Sequence, residues 1–138
     1  MPLYFGRHLY FISFVMNIEE IRDFALSLEN VTEGFPFGGD TLVFKVKNKM
    51  FALTGVDTFD SINLKCNPEK AIQLREQYSC VIPGYHMSKA HWNSVMIDGS
   101  ISDKLIKQWI LDSYALVAAS LPKVERFDVA AAVASIPI

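Results

Sequence analysis

A chain of 138 residues with 51% hydrophobic and 20% charged side chains has the length of one domain and enough apolar surface to offset the entropy of ordering, which excludes an intrinsically disordered chain. Thirteen Lys and Arg against fifteen Asp and Glu leave a formal net charge of -2, whereas a dedicated nucleic-acid binder more often carries a clearly basic domain. The two cysteines, Cys66 and Cys80, form no C-x-x-C pair and are too few for a disulfide framework, so both are expected as small buried hydrophobes.

The apolar run Leu9 to Val15 is far shorter than the roughly 20 residues that span a bilayer. Arg7 and His8 precede it as in a signal peptide, but no small-x-small cleavage site comes after it and acidic residues begin at once, so a cytoplasmic protein with no membrane partner is expected. Residues 1–15 fit poorly with the regular pattern that begins at Met16. An additional edge strand, an oligomer contact, and upstream sequence translated from an early start codon are all open readings. The pattern from Met16 is helical: Asn17 can cap the first turn, with Glu20 three residues on, and Ile18, Ile21, Ala25 and Leu28 recur on one face.

Between Val31 and Cys66 the period switches to two. Leu42, Phe44 and Val46 alternate against Val43, Lys45 and Lys47, Asn48 supplies a turn, and Met50 to Leu53 return, which predicts a β-hairpin. A third strand carries Ile62, Leu64 and Cys66 on one face and Asn63 and Lys65 on the other, as in an antiparallel sheet with one covered and one wet side. Asn67-Pro68-Glu69 starts a helix that runs to about Tyr78. Val81 and Ile82 predict a short strand, Pro83-Gly84 a turn, and Val95 to Ile97 a last strand closed at Asp98-Gly99. Ser102 caps the final helix, whose buried face is Leu105, Ile106, Trp109, Ile110, Ser113 and Val117, ending near Leu121-Pro122. The tail from Val129 is compatible with either a short helix or a loosely held segment. The element order predicts an α+β fold, a two-layer sandwich with a largely antiparallel sheet and helices packed on one face.

The stretch from Pro83 through Gly84, Tyr85, His86, Met87, Ser88, Lys89, Ala90, His91 and Trp92 to Asn93 resembles the hallmark segment of the MmcQ/YjbR family. Phe35-Pro36-Phe37-Gly38 leading into Leu42 to Val46, and the Asn63 to Glu69 junction, agree with it. The resemblance covers about residues 16–123, with 1–15 as an extension and 124–138 as a tail outside it. Ser88 departs from the pattern, standing where the family has an Asn. The resemblance implies a compact α+β domain similar to a double-wing DNA-binding motif, with no established catalytic activity and DNA as the expected partner; the DNA label in the family itself rests on fold analogy.

Two constellations could serve such a role. Lys45, Lys47 and Lys65 are expected to project together with Asn63 from the wet face of the sheet, near Lys49, where they would neutralise phosphates or merely keep that face soluble. Tyr85, His86, Lys89, His91, Trp92 and Asn93 combine rings, cations and an amide in one segment, the types that stack a nucleic-acid strand or line a cleft for a small anionic ligand. In the structural alternative Trp92 is a core anchor and the histidines bond to backbone carbonyls. Cys80, His86 and His91 match no usual zinc spacing, and no nucleophile or paired carboxylates accompany a histidine near Asp98, so neither metal, cofactor nor catalysis is expected. Phe35 and Phe37 are expected as core or rim packing. The leading reading is a small non-enzymatic DNA-binding or DNA-associated protein; the alternative is a binding module for a small anionic ligand or a protein partner.

Overall fold

The structure, a computed structural model, describes residues 16–138; the expectations for residues 1–15 lie outside them. Helix α1 (Ile18–Leu26) opens on Asn17, whose side chain accepts the Glu20 amide at 2.9 Å, and buries Ile21, Phe24 and Ala25. Strands β1 (Val31–Gly34), β2 (Thr41–Val46), β3 (Lys49–Gly55) and β4 (Ser61–Lys65) come next. Helix α2 (Pro68–Gln77), capped by Asn67, leads into β5 (Val81–Pro83), β6 (Trp92–Met96) and the long helix α3 (Asp103–Ala119), capped by Ser102. One sheet takes all six strands in the order β1-β2-β3-β4-β6-β5, and every neighbouring pair is antiparallel. The fold is therefore the α+β two-layer sandwich that the pattern implies.

The core lies between the helices and one face of the sheet. Leu42, Phe44 and Val46 of β2 meet Ile62 and Leu64 of β4, Val95 of β6, and Ile106, Ile110 and Tyr114 of α3. Tyr114, absent from the expected helix face, is fully buried; its ring packs edge-on against Phe51 and its hydroxyl donates to the Glu29 carbonyl at 2.7 Å. A β-bulge sets β2 against β3, with Phe44 opposite Ala52 and Lys45 opposite Met50. Phe51 is the extra residue. Its carbonyl accepts from the Ser113 hydroxyl at 2.6 Å, and the Ser113 Oγ in turn accepts the Lys65 amide at 2.9 Å, so one serine of α3 ties β3 to β4.

The hairpin turn corrects one expectation. Lys47 and Asn48 both have positive φ, 43° and 72°, as a tight two-residue hairpin turn requires. Strand alternation therefore ends at Val46, and Lys47 does not share the open face with Lys45. Its Nζ donates to the Glu125 carbonyl at 2.8 Å and lies 5.5 Å from the centre of the Phe127 ring. Residues 129–134 form a short helix, α4 (Val129–Ala134), with Ala132 buried. Phe127, Val129, Val133 and Ile136 pack against the core cluster, so the tail is docked on the domain.

Candidate functional site

The sheet face opposite the helices is not uniformly wet. Val43 of β2, Leu53 of β3 and Trp92 of β6 form a second buried cluster there, with Met50 and Met87 packed against it. Met87 belongs to the β5–β6 loop, which is thereby folded down over the face. Gly84 makes this approach possible: a Cβ there would lie 2.7 Å from the Trp92 Cβ, and its amide donates to the Trp92 carbonyl at 2.8 Å. Polar contacts fix the start of the loop. Ser94 Oγ donates to Asn63 Oδ1 and accepts the Tyr85 amide at 3.0 Å, so adjacent strands hold Tyr85 from below.

This arrangement leaves a groove of about 510 Å³ along the other end of the same face, lined by Asp40, Thr41 and Thr54, by Ser61 and Asn63, and by Phe37, Tyr85 and His86. Phe37 is 65% and Tyr85 67% exposed, and the rings of Tyr85 and His86 lie 4.1 Å apart, tilted by 56°. His86 has a positive φ of 59°, a conformation that costs a side-chain-bearing residue free energy. Phe35, half exposed, and Phe37 lie outside the core, with Phe37 at the edge of the groove; the Pro36 turn and the positive-φ Gly38-Gly39 pair come next to them in the chain.

The sequence-singled residues divide into three groups. Lys45 and Lys65 sit on the open face, toward the end away from the groove: Lys45 opposes Met50 on β3, and Lys65 opposes Trp92 on β6. Tyr85 and His86 stand at the groove. The rest serve the scaffold or lie apart from both sets. Lys89 Nζ donates to the Gly84 carbonyl at 3.1 Å, closing the loop on itself. His91 is exposed, and its carbonyl accepts the Cys66 amide at 2.8 Å. Trp92 anchors the outer cluster rather than the main core. Asn93 is a correction: strand alternation turns it to the helix side, where it is buried, accepting from Arg75 Nε at 2.7 Å and donating to the Ala71 carbonyl at 3.3 Å. Sequence reading missed Asp40, Thr41, Thr54, Ser61 and Ser94. Each of the four hydroxyl residues sits on a different strand, so no local periodicity marked them.

Other chemistry is less developed. Among the described residues no three His, Cys, Asp or Glu side chains gather to hold a metal, and no helix is long and apolar enough to cross a membrane. Asp98, the carboxylate nearest the histidines in sequence, is held below its usual pKa by hydrogen bonding first to the Ser100 side chain and then to the Ser100 amide, which it accepts at 2.9 Å. Cys80 is buried as expected; Cys66 is half-buried, and burial pushes its thiol pKa up.

A YjbR family model matches residues 26–116, from the end of α1 to the last turn of α3, including the whole sheet and the folded-down loop. The chain belongs to the YjbR family. Protein YbdF of Escherichia coli O157:H7 is 39% identical over 106 residues, covering 76% of this chain and 87% of that protein. Protein YjbR of Escherichia coli K12 is 31% identical over 112 residues, covering 80% and 95%. The crystal structure of a Deinococcus radiodurans protein with a DUF419 domain superposes with a TM-score of 0.77 at 33% identity, covering 84% of this chain and 89% of that one. The YjbR match stops short of the tail that grips Lys47, so that contact lies outside the family's matched core.

Proposed function

We propose that this YjbR-family protein is a non-enzymatic DNA-binding or DNA-associated protein whose contact surface is the open face of its sheet. The observation that supports this reading is the sharing of one face by two lysines and three exposed rings. Lys45 and Lys65 are suited to phosphates, and Phe37, Tyr85 and His86 around the groove offer flat surfaces on which bases stack without sequence preference. The even overall charge is then no obstacle, because two local cations and stacking carry the contact. Exposed rings favour unpaired bases, so a single strand is expected to bind at least as tightly as a duplex.

The test is fluorescence anisotropy of a labelled duplex and of its single strand, titrated at low and at physiological salt. Saturable binding that weakens with salt supports the proposal, and Tyr85→Ala is expected to weaken single-strand binding about tenfold, since one stacked base is worth roughly 1–3 kcal/mol. No binding of either form at low salt refutes it. The groove's volume of about 510 Å³ also suits a small molecule. In that second reading Asp40 at its edge favours a neutral, hydrogen-bonding ring over an anion, and such a ligand would raise the melting temperature of wild type but not of a Tyr85→Ala, Asn63→Ala variant.

A further inference from the structure

On the helix side of the sheet, away from the proposed DNA face, a separate cavity of about 280 Å³ opens between α2 and α3 over β4 and β6. Its interior is mostly apolar, made by Leu64, Leu74, Val95, Trp109 and Leu116 beside the buried Asn93, whose amide is already bonded to Arg75 and the Ala71 carbonyl. That volume is near the lower end of ligand pockets and equals about nine waters at liquid density, enough for one ring or branched side chain. Cys66, Lys70 and Asp112 share the lining with Lys65, which strand alternation turns toward the opposite face of the sheet, and Lys70 and Asp112 both act electrostatically on the Cys66 thiol.

The charges at this cavity are uncommitted in a specific way. Arg75, the other cation near Cys66, is already engaged by Asn93 and the Lys89 carbonyl. Among the described residues neither Lys70 nor Asp112 forms an ion pair; Asp112 accepts only a neutral bond from Gln108, at 2.9 Å. Lys70 also stands in the first turn of α2, where the helix dipole adds to its positive potential. One positive and one negative group thus flank a pocket with an apolar floor, a pattern complementary to a molecule with the inverse arrangement.

We infer that this cavity binds a small zwitterion with an apolar side chain, the chemistry of a hydrophobic amino acid, with its carboxylate toward Lys70, its ammonium toward Asp112 and its side chain over Trp109. The site is independent of the sheet face and of any DNA contact.

Cys66 provides the readout. Alkylation of the folded protein is followed by peptide mass, which separates Cys66 from the buried Cys80, in the presence of millimolar L-phenylalanine, 3-phenylpropionate or phenethylamine. With free phenylalanine about ten times above its Kd, roughly one site in eleven remains open, and Cys66 alkylation falls about tenfold. The two single-charge analogues are expected to protect much less, and Leu116→Trp, which fills the mouth from an exposed position on α3, is expected to abolish protection while keeping the wild-type circular dichroism. Equal protection by 3-phenylpropionate would overturn the role of Asp112 and with it the zwitterion. Undiminished alkylation with all three compounds would overturn the site altogether.

Discussion

Replacing Lys45 and Lys65 together by Ala tests the DNA face in a way that Lys47→Ala cannot mimic. Each phosphate neutralised on a duplex adds about 0.9 to the slope of log affinity against log salt, and about 0.7 on a single strand. Two lysines on the open face therefore account for a slope of about 1.8 on a duplex. Raising salt fourfold weakens their contribution to affinity about twelvefold for a duplex and about sevenfold for a single strand. The double variant is expected to lose that much of its salt response in anisotropy titrations, while its melting temperature stays close to wild type because both side chains are partly exposed. Lys47→Ala is expected to do the reverse. Its Nζ bond to the Glu125 carbonyl and its position over Phe127 are worth about 1–2 kcal/mol of stability, and its loss leaves the salt slope unchanged. A double variant with an undiminished slope would refute the assignment of the face, and a Lys47 variant with a reduced slope would refute the partition drawn from the turn geometry.

Three further outcomes bear on the scaffold. Gly84→Ala forces a Cβ against the Trp92 Cβ and main chain at 2.7–3.0 Å, and is expected to destabilise by about 1–3 kcal/mol in denaturant titration; a neutral result would mean that the loop does not press on β6. Tyr114→Phe keeps the buried ring and loses the bond to Glu29, a cost of about 1 kcal/mol at neutral pH. Burial pushes the Tyr114 pKa up to about 12, above its unfolded value, so this residue's contribution is full below about pH 10 and is lost as pH rises toward 12. The gap between wild type and Tyr114→Phe should narrow over that window. The Arg22 guanidinium, bonded to Glu33 by three hydrogen bonds of 2.6–3.0 Å, holds that carboxyl below its usual 4.5. Its stabilisation is present above that value and lost as pH falls through the depressed pKa, so Arg22→Ala should show a shallower acid-side loss of melting temperature than wild type.

Local chemistry was legible in the sequence and long-range packing was not. Asn17 and Ser102 cap their helices as read, and Asn67 caps the helix whose start Pro68 and Glu69 marked, because each cap needs only an amide three residues away. The hairpin at Asn48 was equally plain, yet its consequence for Lys47 was not, since alternation counted through a turn assigns the wrong face to the turn's first residue. Strand β6 begins at Trp92 rather than Val95, a start that the period-two reading missed because Trp92, Asn93 and Ser94 do not alternate in polarity. Both faces of β6 are buried, one under the helices and one under the loop, and a polar Asn93 is tolerated inside only because Arg75 and the Ala71 carbonyl satisfy it. The apolar spots on the open face, Val43 and Leu53, were visible as letters. Nothing local announced that a loop roughly forty residues downstream would cover them with Met87.

The position of His86 links that covering loop to function more directly than its ring alone. A non-glycine residue at φ 59° carries about 1–2 kcal/mol of local strain, while glycine at the same place would lose about 0.5–1 kcal/mol through a floppier unfolded chain. His86→Gly is therefore expected to leave stability unchanged or to raise it by up to about 1 kcal/mol, and to weaken oligonucleotide binding by removing a ring from the groove. Tyr85 has no positive φ, so Tyr85→Gly gains no such relief and should be destabilising. Paired thermal melts and anisotropy titrations separate the two. If His86→Gly were destabilised as much as Tyr85→Gly, the contact between the two rings would be holding the loop and the strain would carry no functional meaning. If it gained stability and lost binding together, the histidine would be retained at a cost to the fold for what its ring does in the groove.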